Sequence, residues 1–84
     1  MNQWNVKWKR QALRDLTSIW NDASDRALVT QVVHHLEESL KRSPQILGES
    51  RGALRRIVFE SPISLLFELV PDDRKVYVLR VGRF

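Results

Sequence analysis

Six arginines fall in the C-terminal part of this 84-residue sequence, and five of them lie outside the Arg74-Lys75 turn: Arg51, Arg55, Arg56, Arg80 and Arg83. A guanidinium is planar, permanently charged and forked, which suits it to a phosphodiester or a carboxylate. If neighbouring strands carry these residues, several guanidinium groups would meet over one patch and clamp such a target. The plainer reading is that strand arginines guard an edge against aggregation. Binding is the sharper expectation, with Arg55, Arg56, Arg80 and Arg83 as its target-facing residues.

Other reactive residue types are less well placed. His34 and His35 are adjacent, and successive helical residues point about 100° apart, so the pair cannot grip one metal as i, i+4 ligands do. Two surface histidines beside an apolar stripe is the simpler account, and no metal or cofactor is expected. Glu37-Glu38 and Asp72-Asp73 have no partner visible in the sequence that would shift their pKa values toward acid–base work. Trp4, Trp8 and Trp20 sit on apolar stripes and read as core. Tyr77, between Val76 and Val78, is placed for exposure and is a single hint of base stacking. Gly48 and Gly52 resemble part of a phosphate loop, but no Gly-Lys-Ser/Thr and no helix follow them.

The elements that must position these residues are legible from period. Gln3 to Trp8 alternates, with Trp4, Val6 and Trp8 on one side, as in a half-buried strand. From Lys9 to Asn21 the period becomes helical, with Ala12, Leu13, Leu16, Ile19 and Trp20 forming one stripe. Asp22 or Ser24 is suited to cap a second helix from about Asp25 to Arg42, whose stripe is Leu28, Val29, Val32, Val33, Leu36 and Leu40. Lys41 and Arg42 suit its negative end, and Pro44 stops it. Residues 44–53 read as a loop. Leu54–Glu60, Ser64–Val70 and Lys75–Val81 then read as three strands, and the short link Pro71–Arg74 has the residues of a type I turn.

The expected fold is α+β, in the order β-α-α-β-β-β, with a helical hairpin packed on a small, mainly antiparallel sheet. Leu65, Phe67 and Leu69 line one side of the middle strand, while Leu66 and Val70 lie on the other. Two helices cover only one face of a small sheet. Apolar surface is therefore expected to remain for the first strand, a partner or self-association into a homo-oligomer.

Composition sets outer bounds. Eighty-four residues suit one domain, residues 1–84, burying only about 60–65% of the surface the unfolded chain exposes. With 43% hydrophobic residues the chain suits a packed globule, and the absence of cysteine excludes disulfides and thiolate metal sites. No secretory h-region and no apolar run of about 18 residues is visible, so the expectation is a soluble, cytoplasmic protein without a membrane partner. The net charge is +4, and most of the excess lies in residues 51–84, with seven Lys/Arg against four Asp/Glu. A positive surface favours nucleic acid or an acidic protein segment.

Three stretches carry a resemblance: Arg55–Phe59, Leu65–Val76 and Val78–Phe84, together with Trp4–Trp8 and Ala12–Leu16 at the start. They are similar to the sheet and opening elements of the RelE/ParE-type toxins, across nearly the whole chain. The resemblance implies the toxin of a type II toxin–antitoxin pair, of the kind tied to plasmid stabilisation. It implies a cognate antitoxin that wraps the toxin, and a target that is either mRNA at the ribosome, which requires RNA binding, or gyrase.

The sequence departs from the cleaving members of that family. They carry an Arg where Ser64 stands, and a basic residue or His followed by Arg after the strand-ending Gly; here Arg83 follows Gly82 and Phe84 comes next. The C-terminal segment that often supplies a Tyr is absent from the sequence. Attack of a 2′-OH on its phosphate needs a proton acceptor, a charge clamp and a donor to the leaving oxygen. Arginine clamps but does not release a proton near neutral pH. The meander offers Tyr77, Glu60 and Glu68, so the catalytic residues stay unknown. The alternative is a nucleic-acid- or protein-binding module of the same fold that has lost toxicity.

Overall fold

The computed structural model describes residues 3–84. Its first strand, β1 (Asn5–Trp8), leads into α1 (Arg10–Asp22) and α2 (Arg26–Arg42). Then come β2 (Glu49–Ser50), β3 (Arg55–Glu60), β4 (Ile63–Val70) and β5 (Lys75–Arg83). Single 3₁₀ turns at Pro44–Ile46 and Pro71–Asp73 join α2 to β2 and β4 to β5. The link from β3 to β4 contains a cis Ser61–Pro62 peptide.

The strands form one sheet in the order β1-β5-β4-β3-β2. β3, β4 and β5 are the antiparallel meander that the sequence predicts. β1 joins its edge parallel to β5, with Asn5 opposite Lys75 and Trp8 opposite Val78. Parallel neighbours need a long crossover between them, and here both helices and the rest of the meander provide it.

Alternation divides the sheet into two faces. On β4, Ile63, Leu65, Phe67 and Leu69 are buried, facing the same side as Val58 of β3 and Val76, Val78 and Val81 of β5. The helices close over this side with Ala12, Leu16 and Ile19 from α1 and Val29, Val32, Leu36 and Leu40 from α2. Each large aliphatic or aromatic side chain removed from water there contributes about 1.5–3 kcal/mol. Trp4 joins the same core, and its backbone N–H donates to the Lys41 carbonyl at 2.8 Å, tying the start of the chain to the end of α2.

Several expectations need correction. Leu13, Trp20 and Leu28 belong to the apolar stripes that the sequence predicts to be buried, yet all three are exposed, because each helix meets the sheet along a band narrower than its apolar arc. Trp20 is instead covered by the Arg26 guanidinium, 4.8 Å from its ring centre. Neither Asp22 nor Ser24 caps α2. Asp25 holds that position without a side-chain cap bond, since its carboxylate turns to Arg83. The loop at 44–53 contains the two-residue β2, paired with Arg56 and Ile57. The Pro71 turn is a 3₁₀ turn ending with Arg74 in the left-handed region at φ 50°.

Candidate target-binding face of the sheet

The four sequence-predicted arginines do not meet over one patch. Arg55 lies opposite Glu68 on the side away from the helices, with its Nε 3.7 Å from a Glu68 carboxylate oxygen. Its neighbour Arg56 points to the helix-bearing side and donates to the carbonyls of Leu47 and Gly48 at 2.8 and 2.9 Å. Arg56 thus holds the loop before β2 against the sheet. Arg83 lies opposite Ile63, also on the helix side, and donates to Asp25 at 3.1 Å. Arg80 lies opposite Leu66 and reaches Asp15 of α1 at the β5 edge. The physical reason is parity: side chains one or three residues apart on a strand leave opposite faces. Arg51 is engaged by Glu49 beside β2.

Asp15 is the most heavily used acid in the molecule. It accepts from Arg80 Nε at 2.7 Å and from the Val81 backbone N–H at 2.9 Å. β1 pairs with β5 only as far as Val78, so this carboxylate satisfies an edge amide beyond the end of β1. The hydrogen bond from Arg80 holds the Asp15 carboxyl at about 2, below the ordinary 3.8; burial opposes the shift, and the Val81 and Gln11 bonds add to it. The same pairing raises the pKa of Arg80.

The uncovered face carries a different set of groups. Register places Lys7 opposite Tyr77, Tyr77 opposite Glu68, and Glu68 opposite Arg55. These four residues form one row across β1, β5, β4 and β3, about 14 Å from end to end at ordinary strand spacing. Lys9 extends over the row, its ammonium 4.7 Å from the Tyr77 ring centre. Lys75 lies two residues before Tyr77 on the same face, opposite Asn5 and Val70. Among the described residues, Lys7 and Lys75 have no ion-pair partner. Sequence reasoning singled out Arg55 and Tyr77 here and missed Lys7, Lys9 and Lys75. Alternation in Gln3–Trp8 was the available signal, because it already put Lys7 opposite in sense to Trp4, Val6 and Trp8.

The far end of this face is apolar. Phe59 and Phe84 are exposed and meet edge to face at 5.6 Å between ring centres, next to half-buried Ile57 and Leu66. The expected apolar surface is therefore present, and β1 extends the sheet edge rather than covering it.

The remaining candidates are placed as follows. His34 and His35 are exposed on α2, and His35 Nδ1 lies 2.7 Å from a Glu60 carboxylate oxygen, joining α2 to β3. Glu38 pairs with Lys41 at 3.2 Å, and Asp72 and Asp73 lie in the turn before β5. Gly48, at φ +72°, sits where a side chain would run into the Ile57 carbonyl, so it serves close packing of the loop on β3. No described helix is long and apolar enough to cross a membrane.

No family model matches the sequence, and no curated protein matches it. Solved structures do match. The chain superposes on a chain of the RelBE2 toxin–antitoxin complex of Mycobacterium tuberculosis with a TM-score of 0.82 at 22% identity, covering 100% of this chain and 94% of the other. For the intact RelBE toxin–antitoxin complex of E. coli the TM-score is 0.69 at 21% identity, with 96% of each chain covered. For the chromosomal ParDE system of P. aeruginosa it is 0.66 at 22% identity, covering 99% and 98%. The chain has the RelE/ParE-type toxin fold.

Proposed function

We infer that this chain, with a fold seen in proteins of toxin–antitoxin complexes, is the toxin of a type II pair. It is neutralised by a cognate antitoxin and acts on translation, through mRNA at the ribosome, or on gyrase. The observation that carries the reading is the uncovered sheet face: one side of β4 is sealed by the helices, and the other holds Lys7, Lys75 and Arg55 in reach of a target. Arg55 serves that face, whereas Arg56, Arg80 and Arg83 hold the fold.

Induction of the chain in bacteria tests this. Growth should stop, and co-expression of a small adjacent open reading frame encoding the antitoxin should restore it while the two proteins co-purify. Indifferent growth together with no co-purifying partner removes the reading.

A second reading has its own support. Phe59 and Phe84 form an apolar corner on the open face, and Arg80 and Arg83 are both tied to acids. These features suit a binding module of the same fold without toxicity, for which growth continues but the partner still co-purifies.

A further inference from the structure

We propose that the β3–β4 part of the open face is the contact of a two-fold dimer, and that its partner is a second copy of this chain. The proposal goes beyond the toxin reading and does not depend on it.

The cross-strand pairs carry the argument. On the open face β3 offers Arg55, Ile57 and Phe59, and register sets them opposite Glu68, Leu66 and Ser64 of β4. Each residue thus stands beside its chemical complement: a cation beside an anion, an aliphatic beside an aliphatic, a large ring beside a small hydroxyl. A closed two-fold contact places one patch against itself. An axis parallel to the strands, running between β3 and β4, exchanges the two columns. β3 of one copy then lies over β4 of the other, as in aligned sheets packed about 10 Å apart. Arg55 meets the second copy's Glu68, Ile57 its Leu66 and Phe59 its Ser64. Each contact is made twice.

The relief and charge of the face suit this arrangement. The side chains of Arg55 and Glu68 are 55% and 40% exposed, and the 3.7 Å between them is too long for a hydrogen bond, so both keep capacity for a closer partner. Reciprocal pairing leaves neither charge buried alone. Phe59 is 51% exposed, and the surface it would enter is low. Ser64 lies opposite Gly82 of β5, and even an added Cβ at that glycine would come within 2.6 Å of the Ser64 Oγ. Phe84, edge on to Phe59, widens the apolar end. Lys7 and Lys75 belong to β1 and β5, outside the exchanged columns. An acidic partner would gather at those lysines, and a purely apolar one would leave Arg55 and Glu68 without counterparts. The patch measures about 10 Å across three strands and about 17 Å along six residues. That is small for a specific interface, so dissociation in the micromolar range is expected.

Sedimentation equilibrium of the purified whole chain, from about 1 µM to about 1 mM, tests the contact. The chain should pass from monomer to dimer and stop there, because a two-fold contact closes. Phe59→Asp should weaken the dimer at least about tenfold, and Phe59→Ser gives the same test should the carboxylate disturb the fold. Arg55→Glu alone, or Glu68→Arg alone, sets like charges face to face and should weaken it about tenfold. Mixed one to one, these two variants should regain wild-type affinity as a heterodimer, since every charge contact across it again joins opposite signs. No effect confined to a single folded chain produces that recovery. Lys7→Ala combined with Lys75→Ala is the control and should not weaken association. Circular dichroism melts identify any variant that fails to fold. Monomer at every concentration, a dimer that both Phe59 variants leave intact, or a mixture no tighter than its two components overturns the proposal.

Discussion

The two sides of β4 are built from one eight-residue strand and differ in almost every physical respect. On the helix side Ile63, Leu65 and Phe67 are fully enclosed and Leu69 nearly so. On the other side Ser64, Leu66, Glu68 and Val70 are each only half-buried. The covered side gains its stability from close packing, and a packed interior tolerates neither free charge nor movement. The open side contributes less to folding, which leaves its groups at liberty to face a ligand. The comparison teaches a division of labour by parity along a single strand.

The largest expected effect comes from breaking the covered side. Phe67→Ala should cost about 3–5 kcal/mol, enough to unfold most of a domain of this size, whereas Leu66→Ala next to it should cost about 1 kcal/mol. Urea titrations of the two variants measure the contrast. Similar losses at both positions would erase the distinction between the faces.

An intermediate effect is expected at Asp15, which belongs to neither face but closes the edge between them. Its side chain is only 11% exposed, although its partner Arg80 is mostly in water. Asp15→Ala should therefore cost about 2 kcal/mol, or roughly 10 °C in melting temperature. The pH dependence has a definite sign. The Asp15 carboxyl is depressed to about 2 in the fold from an ordinary 3.8. The stability it supplies is therefore complete above the ordinary value and fades as pH falls through the folded one. Melts of wild type and Asp15→Ala should be well separated at pH ~7 and converge near pH ~2. A gap that stays constant across that range would remove the carboxylate from the explanation.

The smallest effect sharpens the open side itself. Phe59→Ala removes one ring of the edge-to-face pair with Phe84 and should cost about 1 kcal/mol. Phe59 lies opposite Ser64, four residues along β4 from Glu68, so the change should leave the Lys7–Tyr77–Glu68–Arg55 row in place. Urea titration of the variant measures the cost, and an unchanged midpoint would show that the ring pair adds nothing to the fold.

What could be read from the sequence was whatever announces itself locally. The alternation of Leu65, Phe67 and Leu69 against Leu66 and Val70 gave the two faces of β4, and the helical periods gave α1 and α2. β2 escaped because two polar residues have no pattern to show. Leu13, Trp20 and Leu28 were misplaced because a helical stripe says which residues are apolar, not how wide a band the neighbouring element covers. The convergence of arginines failed on parity, which adjacent Arg55 and Arg56 already displayed. The Lys7–Tyr77–Glu68–Arg55 row was out of reach for a stronger reason: it exists only once register fixes which residues of four separate strands stand side by side.

The parallel pairing of β1 with β5 has a consequence in time. Asn5 meets Lys75 only after the intervening chain has been made, so β1 emerges from a translating ribosome long before its neighbour exists. Contacts so distant in sequence form late and slowly. Lys7 therefore stands apart from Tyr77 until β5 has emerged, so the surface the two share is among the last parts of the sheet to assemble.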